Sequence, residues 1–252
     1  AHPQEITFGV VWQGKIGMDE IPLQWLDRCR VLLVDSDRAQ GVGWARAKTQ
    51  ALWENEPYTL QIDSHMRFVE HWDALLLHML HQCPSPKPLL TAYPPAYSPP
   101  DVLHAGEPTS LGASHFTEEG SLSLLSTRSL EHYLQPQLGM FIAAGFWFAP
   151  SQLIQEVPYD PSLYFQGEET NLSVRAWTHG WDIFHPNRIA CYHEYIRPGK
   201  PRHWEDHPQW WELNQITHHR LHQLVNPELQ HPLHPYRLGT SRSLSAYQAF
   251  SG

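Results

Sequence analysis

Residues 58–68 read "YTLQIDSHMRF", an apolar run closing on Ile62 and followed at once by Asp63, Ser64 and His65. The run is short, rich in β-formers and preceded by the breaker "NEP", so it reads as a buried strand. Successive side chains on a strand alternate in direction; if that geometry persists, Asp63 and His65 project to one side and Ser64 to the other. A carboxylate and a neutral imidazole both offer lone pairs to a divalent ion, and ligands of open α/β sheets gather beyond the carboxyl ends of strands. Spacing alone leaves two readings equally open, a metal half-site and a turn-capping Asp beside a surface His, because 18 histidines give many chances for an accidental pair.

Outward from this strand, β-type runs alternate with helical ones. "ITFGVVWQ" (6–13) and "RVLLVD" (30–35) read as strands, and residues 42–55 as a helix stopped by "NEP". "HWDALLLHMLHQC" (71–83) is an amphipathic helix ended by Pro84. The Pro-rich "YPPAYSPPD" (93–101) reads as a surface loop, opening a segment to about Pro136 that reads only as irregular or edge structure. "GMFIAAGFWFAP" (139–150) is a buried strand whose Ala143-Ala144-Gly145 allows close approach to the backbone. Residues 167–180 form a helix with acids in its first turn, 187–197 a strand, and 209–225 a helix. Alternation of this kind implies an α/β layered fold with a mostly parallel central sheet flanked by helices, in a single domain over 1–252.

Composition removes several classes. With 17 Lys+Arg against 26 Asp+Glu the net charge is −9, and no basic cluster could track a nucleic-acid backbone. The three cysteines, Cys29, Cys83 and Cys191, are odd in number and lack CxxC spacing, which fits a reducing, cytoplasmic setting. No apolar stretch approaches the roughly 18 residues of a membrane span, so none is expected.

Four ordered stretches resemble the polypeptide N-acetylgalactosaminyltransferases, GT-A-fold enzymes that use UDP-sugars and manganese. "DSH" matches their metal strand, "GVGWARA" (41–47) their Arg-bearing helix, "AAGFWFAP" (143–150) their sugar-pocket strand, and "YDPSLYFQGEETNLSVRAW" (159–177) their acidic helix. "CYHEYIR" (191–197) places His193 on their distal metal ligand. The closer resemblance is to glycosyltransferase family 60, the UDP-GlcNAc:polypeptide α-N-acetylglucosaminyltransferases. It is carried by "WARAKTQALWENEPYTLQIDSHMRFVEHWD", "LTAYPPAY", "FIAAGFWFAP", "HWEDHPQWWELN" and "LGTSRSLSAYQAFSG". That family has an earlier strand with an Ala/Ser-Tyr-Arg-Asp motif; nothing before "AHPQEITFGVVWQ" supplies it, so the first strand is expected to be missing and both ends truncated.

The resemblance implies Asp63, His65 and His193 as ligands of manganese, with magnesium as the alternative, and Arg46 as a fixed charge near the nucleotide diphosphate. It implies a sugar lying on Ala144 and Gly145 beside Gly167, and Glu168 with Glu169 as the catalytic acids that orient sugar or acceptor. Trp204, in "HWEDH" (203–207), would shield a bound UDP as part of a closing loop. The implied reaction is retaining transfer of GlcNAc from a UDP-sugar donor to a hydroxyl of a protein or peptide acceptor, hydroxyproline or Ser/Thr. Alternatives stay open: GalNAc as the sugar, a non-protein acceptor, a metal-dependent hydrolase built on the same ligands, or a non-catalytic sugar-nucleotide-binding module. His218 and His222, four apart on a helix, have zinc-compatible spacing but no intervening Glu, and read as a packed or solvated face.

Overall fold

A computed structural model describes residues 3–15, 28–197, 199, 209–229 and 233–251. In chain order its strands and α-helices are β1 (Phe8–Gly14), β2 (Cys29–Asp35), α1 (Val42–Gln50), β3 (Tyr58–Ile62), β4 (Met66–Phe68), α2 (Trp72–Gln82), β5 (Pro88–Thr91), β6 (Tyr97–Ser98), β7 (Val102–Leu103), β8 (Thr109–Phe116), β9 (Leu122–Ser129), β10 (Gln137–Gly139), β11 (Phe146–Pro150), α3 (Gln152–Glu156), α4 (Glu168–Thr178), β12 (Asp182–His185), β13 (Cys191–His193), α5 (Trp210–Val225) and α6 (Leu244–Ser251).

The centre is a five-stranded sheet in the order β10-β12-β5-β11-β3. Neighbouring residues on its strands serve opposite faces, as the pleat requires. Leu89, Trp147 and Ile183 join one core with Leu172 and Ala176 of α4, and Ala47 of α1 packs against it. Leu90, Phe146, Phe148 and Phe184 join a second core with Leu76, Met79 and Leu80 of α2. The sheet is therefore covered by helices on both faces. Each fully buried large apolar side chain here, such as Trp147 or Leu76, is worth ~1.5–3 kcal/mol relative to exposure.

Strand direction departs from the expectation of a mostly parallel sheet. Only β5·β12 is parallel within the central sheet, while β10·β12, β5·β11 and β3·β11 are antiparallel. The other parallel ladder joins β1 to β2. An apolar run carries no sign of its direction, and β11 enters its sheet reversed. β3 is an edge strand with Ile62 partly exposed, contrary to its fully buried reading. The free edge of β3 and the β1 side line a cavity of about 210 Å³ in which Thr7 and Gly9 face Tyr58, Leu60 and Ile62.

Several elements differ from the sequence expectation. β5 and β12 are four-residue strands that no run announced. The stretch read as irregular or edge structure holds an antiparallel hairpin, β8·β9, with register shifts. The Pro-rich loop contains the short pair β6·β7. Ala143-Ala144-Gly145 form the turn ahead of β11 rather than its middle, and the expected strand at 187–197 is only β13.

Candidate functional site

Asp63 is placed by backbone bonds. Its N–H donates to Gly145 O at 3.0 Å, one step past the Ile62↔Phe146 pair of the β3·β11 ladder. The chain then leaves β3 and re-enters as β4, so strand geometry does not persist through the triplet; a turn, not alternation, sets Asp63 and His65 near each other and leaves Ser64 exposed. β13 pairs antiparallel with β4, matching His193 to Met66, and Glu194 N–H donates to His65 O. That ladder carries His193 across 130 residues to within 3.3 Å (Nε2) of Asp63 Oδ2, which His65 Nε2 approaches to 3.8 Å.

One ligand atom from each of Asp63, His65 and His193 lies within 4.8 Å of the others. Burial opposes ionisation of Asp63, yet the His193 hydrogen bond and the Arg46 charge hold its pKa at about 2. Burial, aided by the charges of His193 and Arg197, lowers His65 to about 4 against the pull of Asp63. At neutral pH these are an anionic oxygen and a neutral imidazole, the forms that ligate. Lone pairs converging this closely repel unless a proton or cation lies between them, so the donor set fits a divalent ion. One oxygen and two nitrogens from protein leave positions for further oxygen ligands, which suits manganese. Among the described residues this is the single such cluster; His218 and His222 belong to none.

Arg46 is held at the cleft by contacts the sequence did not show. Gly41, at φ +99°, starts α1 against residues 163–164, where a Cβ would meet Tyr164 O at 2.4 Å. Val42 and Gly43 N–H groups donate to Tyr164 O and Leu163 O, which fixes the helix that carries Arg46. Its Nη2 donates to Asp63 Oδ1 (2.9 Å), and its Nη1 to Glu168 Oε2 (2.7 Å) and Tyr159 OH (3.2 Å). The guanidinium is engaged by two acids of the site rather than presented free for phosphate. Burial works against its charge, but Glu168, Tyr159 and Asp63 more than offset this and raise its pKa.

Glu168 and Glu169 open α4 after Gly167. Burial pushes Glu168 up to about 7 against the pull of Arg46. Glu169 is spoken for at both oxygens, accepting from Ala144 N–H (3.0 Å) and from Tyr93 OH (2.6 Å). It braces the small-residue turn. Gly145 is required there because an added Cβ would lie 2.9 Å from Asp63 Oδ2. Gly167 caps α4 in the left-handed region (φ +84°), and a Cβ on it would lie 2.2 Å from Leu221 Cδ1 on α5. Its demand is therefore scaffold geometry first.

Arg46, Asp63, Ala144, Gly145, Gly167, Glu168, Glu169 and His193 line one cleft of about 390 Å³ together with Leu122 and Leu124 of the hairpin, while His65 is not among its lining residues. Trp204 lies outside the described residues. Sequence reading missed Tyr93, Tyr159 and Gln61. Gln61 Nε2 donates to Ala144 O (2.7 Å) and Tyr159 OH (2.9 Å), tying β3 to the turn. A polar side chain inside an apolar strand was the available signal for Gln61; the tyrosines gave none. The cysteines are free, and no helix among the described residues is long and apolar enough to cross a membrane.

Residues 14–252 match the family model described as Glycosyltransferase (GlcNAc). The fold is similar to the crystal structure of GalNAc-T7 with UDP, GalNAc and Mn2+, with a TM-score of 0.53 and 15% identity over 90% of this chain. The chain spans 44% of the length of that protein. No curated protein matches by sequence.

Proposed function

The chain belongs to the glycosyltransferase (GlcNAc) family, and from that premise we propose that it moves GlcNAc from UDP-GlcNAc to a hydroxyl of a protein acceptor, hydroxyproline or Ser/Thr, with retention of configuration. The observation that carries this reading is the convergence of Asp63, His65 and His193, two of which, Asp63 and His193, line a cleft shared with a bulk-free turn and two acids. GalNAc-T7, similar in fold, binds UDP, GalNAc and manganese.

A divalent ion held by these three residues would neutralise and polarise the diphosphate leaving group. The chain supplies the rest. Asp63 stays ionised beside Arg46, which bonds its Oδ1. Arg46 sets Asp63 and Glu168 at fixed separation, so the ligand and the acid facing the sugar keep one geometry through turnover, a preorganised arrangement. The missing side chains at Ala144 and Gly145 leave room for a sugar ring against the turn braced by Glu169. A double displacement would need a carboxylate free to attack the sugar. Of the three acids that line the cleft among the described residues, Asp63 and Glu168 each give one oxygen to Arg46 and Glu169 is bonded at both oxygens, which disfavours each as an attacking group. Attack of the acceptor hydroxyl on the face vacated by the diphosphate needs no such nucleophile.

The test is release of UDP from UDP-GlcNAc with manganese, accelerated by hydroxyl-bearing peptides. A panel of UDP-sugars yielding no turnover would sink the transferase reading. Acceptor-independent release that peptides never accelerate would favour the hydrolase.

A further inference from the structure

Beside the metal cleft lies a second, shallower groove of about 350 Å³, whose lining includes Tyr93, Pro94, Glu107, Thr109, Ser126 and Tyr195. Three of these residues, Tyr93, Pro94 and Tyr195, also line the metal cleft, so the two spaces meet at a junction built from two phenols and a proline. The junction is fixed. Tyr93 OH donates to Glu169 Oε2 and Tyr195 OH donates to Pro94 O at 2.8 Å. The Tyr195 ring also lies 4.2 Å from that of His193, centroid to centroid, at a tilt of 50°. Tyr195 is therefore a half-exposed side chain with one side on a metal-ligand candidate and the other on the groove.

The chemistry of the groove differs from that of the cleft. Its wall of Pro94, Pro95, Ala96, Ala105 and Gly106 is flat and apolar, without a charged side chain. Its polar groups are the hydroxyls of Thr109 and Ser126 and the carboxylate of Glu107. A diphosphate would be repelled by Glu107, and among the described residues no cationic side chain lines the groove to receive one. An extended peptide suits it: prolines and aromatic rings present flat faces to a chain that keeps its own backbone solvated. Thr109 and Ser126 can serve its amides, and Glu107 a basic side chain.

We propose that this groove is the acceptor subsite, that it takes an extended peptide segment with a basic residue near the Glu107 end, and that Tyr195 determines how the segment's hydroxyl enters the metal cleft. The inference rests on the transferase reading and deepens it. The hydroxyl passes between Tyr93 and Tyr195 toward Glu168, while the flanking residues stay on the Pro94–Pro95 wall.

The experiment uses the full chain, UDP-GlcNAc, manganese and synthetic extended peptides carrying Ser, Thr or hydroxyproline, each with Lys or Glu flanking the hydroxyl residue. Ser126→Trp, at an exposed β9 position that lines the groove but not the metal cleft, narrows the groove. It is expected to raise the peptide KM by about tenfold, with the KM for UDP-GlcNAc little changed. Glu107→Lys is expected to reverse the preference between Lys- and Glu-flanked peptides. Tyr195→Phe, which removes only the hydroxyl that fixes the ring to Pro94, should raise the peptide KM more than the donor KM. Peptide KM values unmoved by Ser126→Trp, or a flanking-charge preference unchanged by Glu107→Lys, would overturn the proposal. Donor turnover that no peptide accelerates would overturn it as well. The transferase reading itself fails differently, by absence of UDP release from any donor in the wild type.

Discussion

Arg46 Nη2 stands 2.9 Å from Asp63 Oδ1, a contact made from a helix 17 residues earlier by a side chain that is itself 11% exposed. The other arm of the guanidinium holds Glu168 at 2.7 Å. A basic residue that sequence reading assigns to phosphate is thus the strut between a metal-ligand candidate and the acid across the cleft.

Removing that strut leaves two acids without their shared cation in a buried site. Arg46→Ala is expected to cost ~3–5 kcal/mol, the typical consequence of deleting one partner of a buried pair. Urea denaturation measures it. The double variant Arg46→Ala/Glu168→Gln should recover part of the loss, since it removes one stranded charge; a single variant as stable as wild type would show that the network bears no weight.

Gly145→Ala separates stability from ligation. The new Cβ would sit 2.9 Å from Asp63 Oδ2, and the side chain that gives way is the ligand itself. Global stability should change by less than ~1 kcal/mol, while manganese affinity falls by about 10–100-fold, the range seen when a ligand's support is altered. Calorimetric titration of manganese reads the second quantity. Unchanged affinity would mean that Asp63 tolerates displacement.

Gly167→Ala is expected to act on the scaffold. A left-handed non-glycine costs ~1–3 kcal/mol, and the Cβ also collides with Leu221. Pairing it with Leu221→Ala should relieve the collision and leave the backbone cost. A melting temperature that neither variant moves would contradict a scaffold role for Gly167.

Glu168→Gln keeps the size of the side chain and most of its hydrogen bonding to Arg46. UDP binding in the presence of manganese should stay near wild type while transfer falls, by kcat rather than by donor KM, as expected for a group felt mainly in the transition state. Equal loss of UDP binding and turnover would make it a donor-binding residue only.

How much of this was legible depends on what sequence encodes locally. The end of the strand at Ile62, the helix bearing Arg46 and the helix opening with Glu168 were readable because each has local punctuation: an apolar run with a polar end, "NEP", and a glycine before acids. β5 and β12 were not, since "PLLT" and "DIFH" are too short to show a period. The reversed direction of β11 was invisible for a different reason: direction belongs to pairing, and pairing is tertiary. The same holds for the bonds of Arg46 to Glu168, 122 residues away, and of Glu169 to Tyr93. The candidate ligands could be named from sequence, but the strut and brace that hold them could not.

The most direct measurement is a manganese titration followed by the EPR signal of the free ion, on wild type and Asp63→Ala, with and without UDP. Asp63, His65 and His193 as ligands predict a single site in the wild type that tightens when UDP is added, and no saturable binding in the variant. Equal manganese occupancy and equal UDP affinity in both proteins would contradict that assignment.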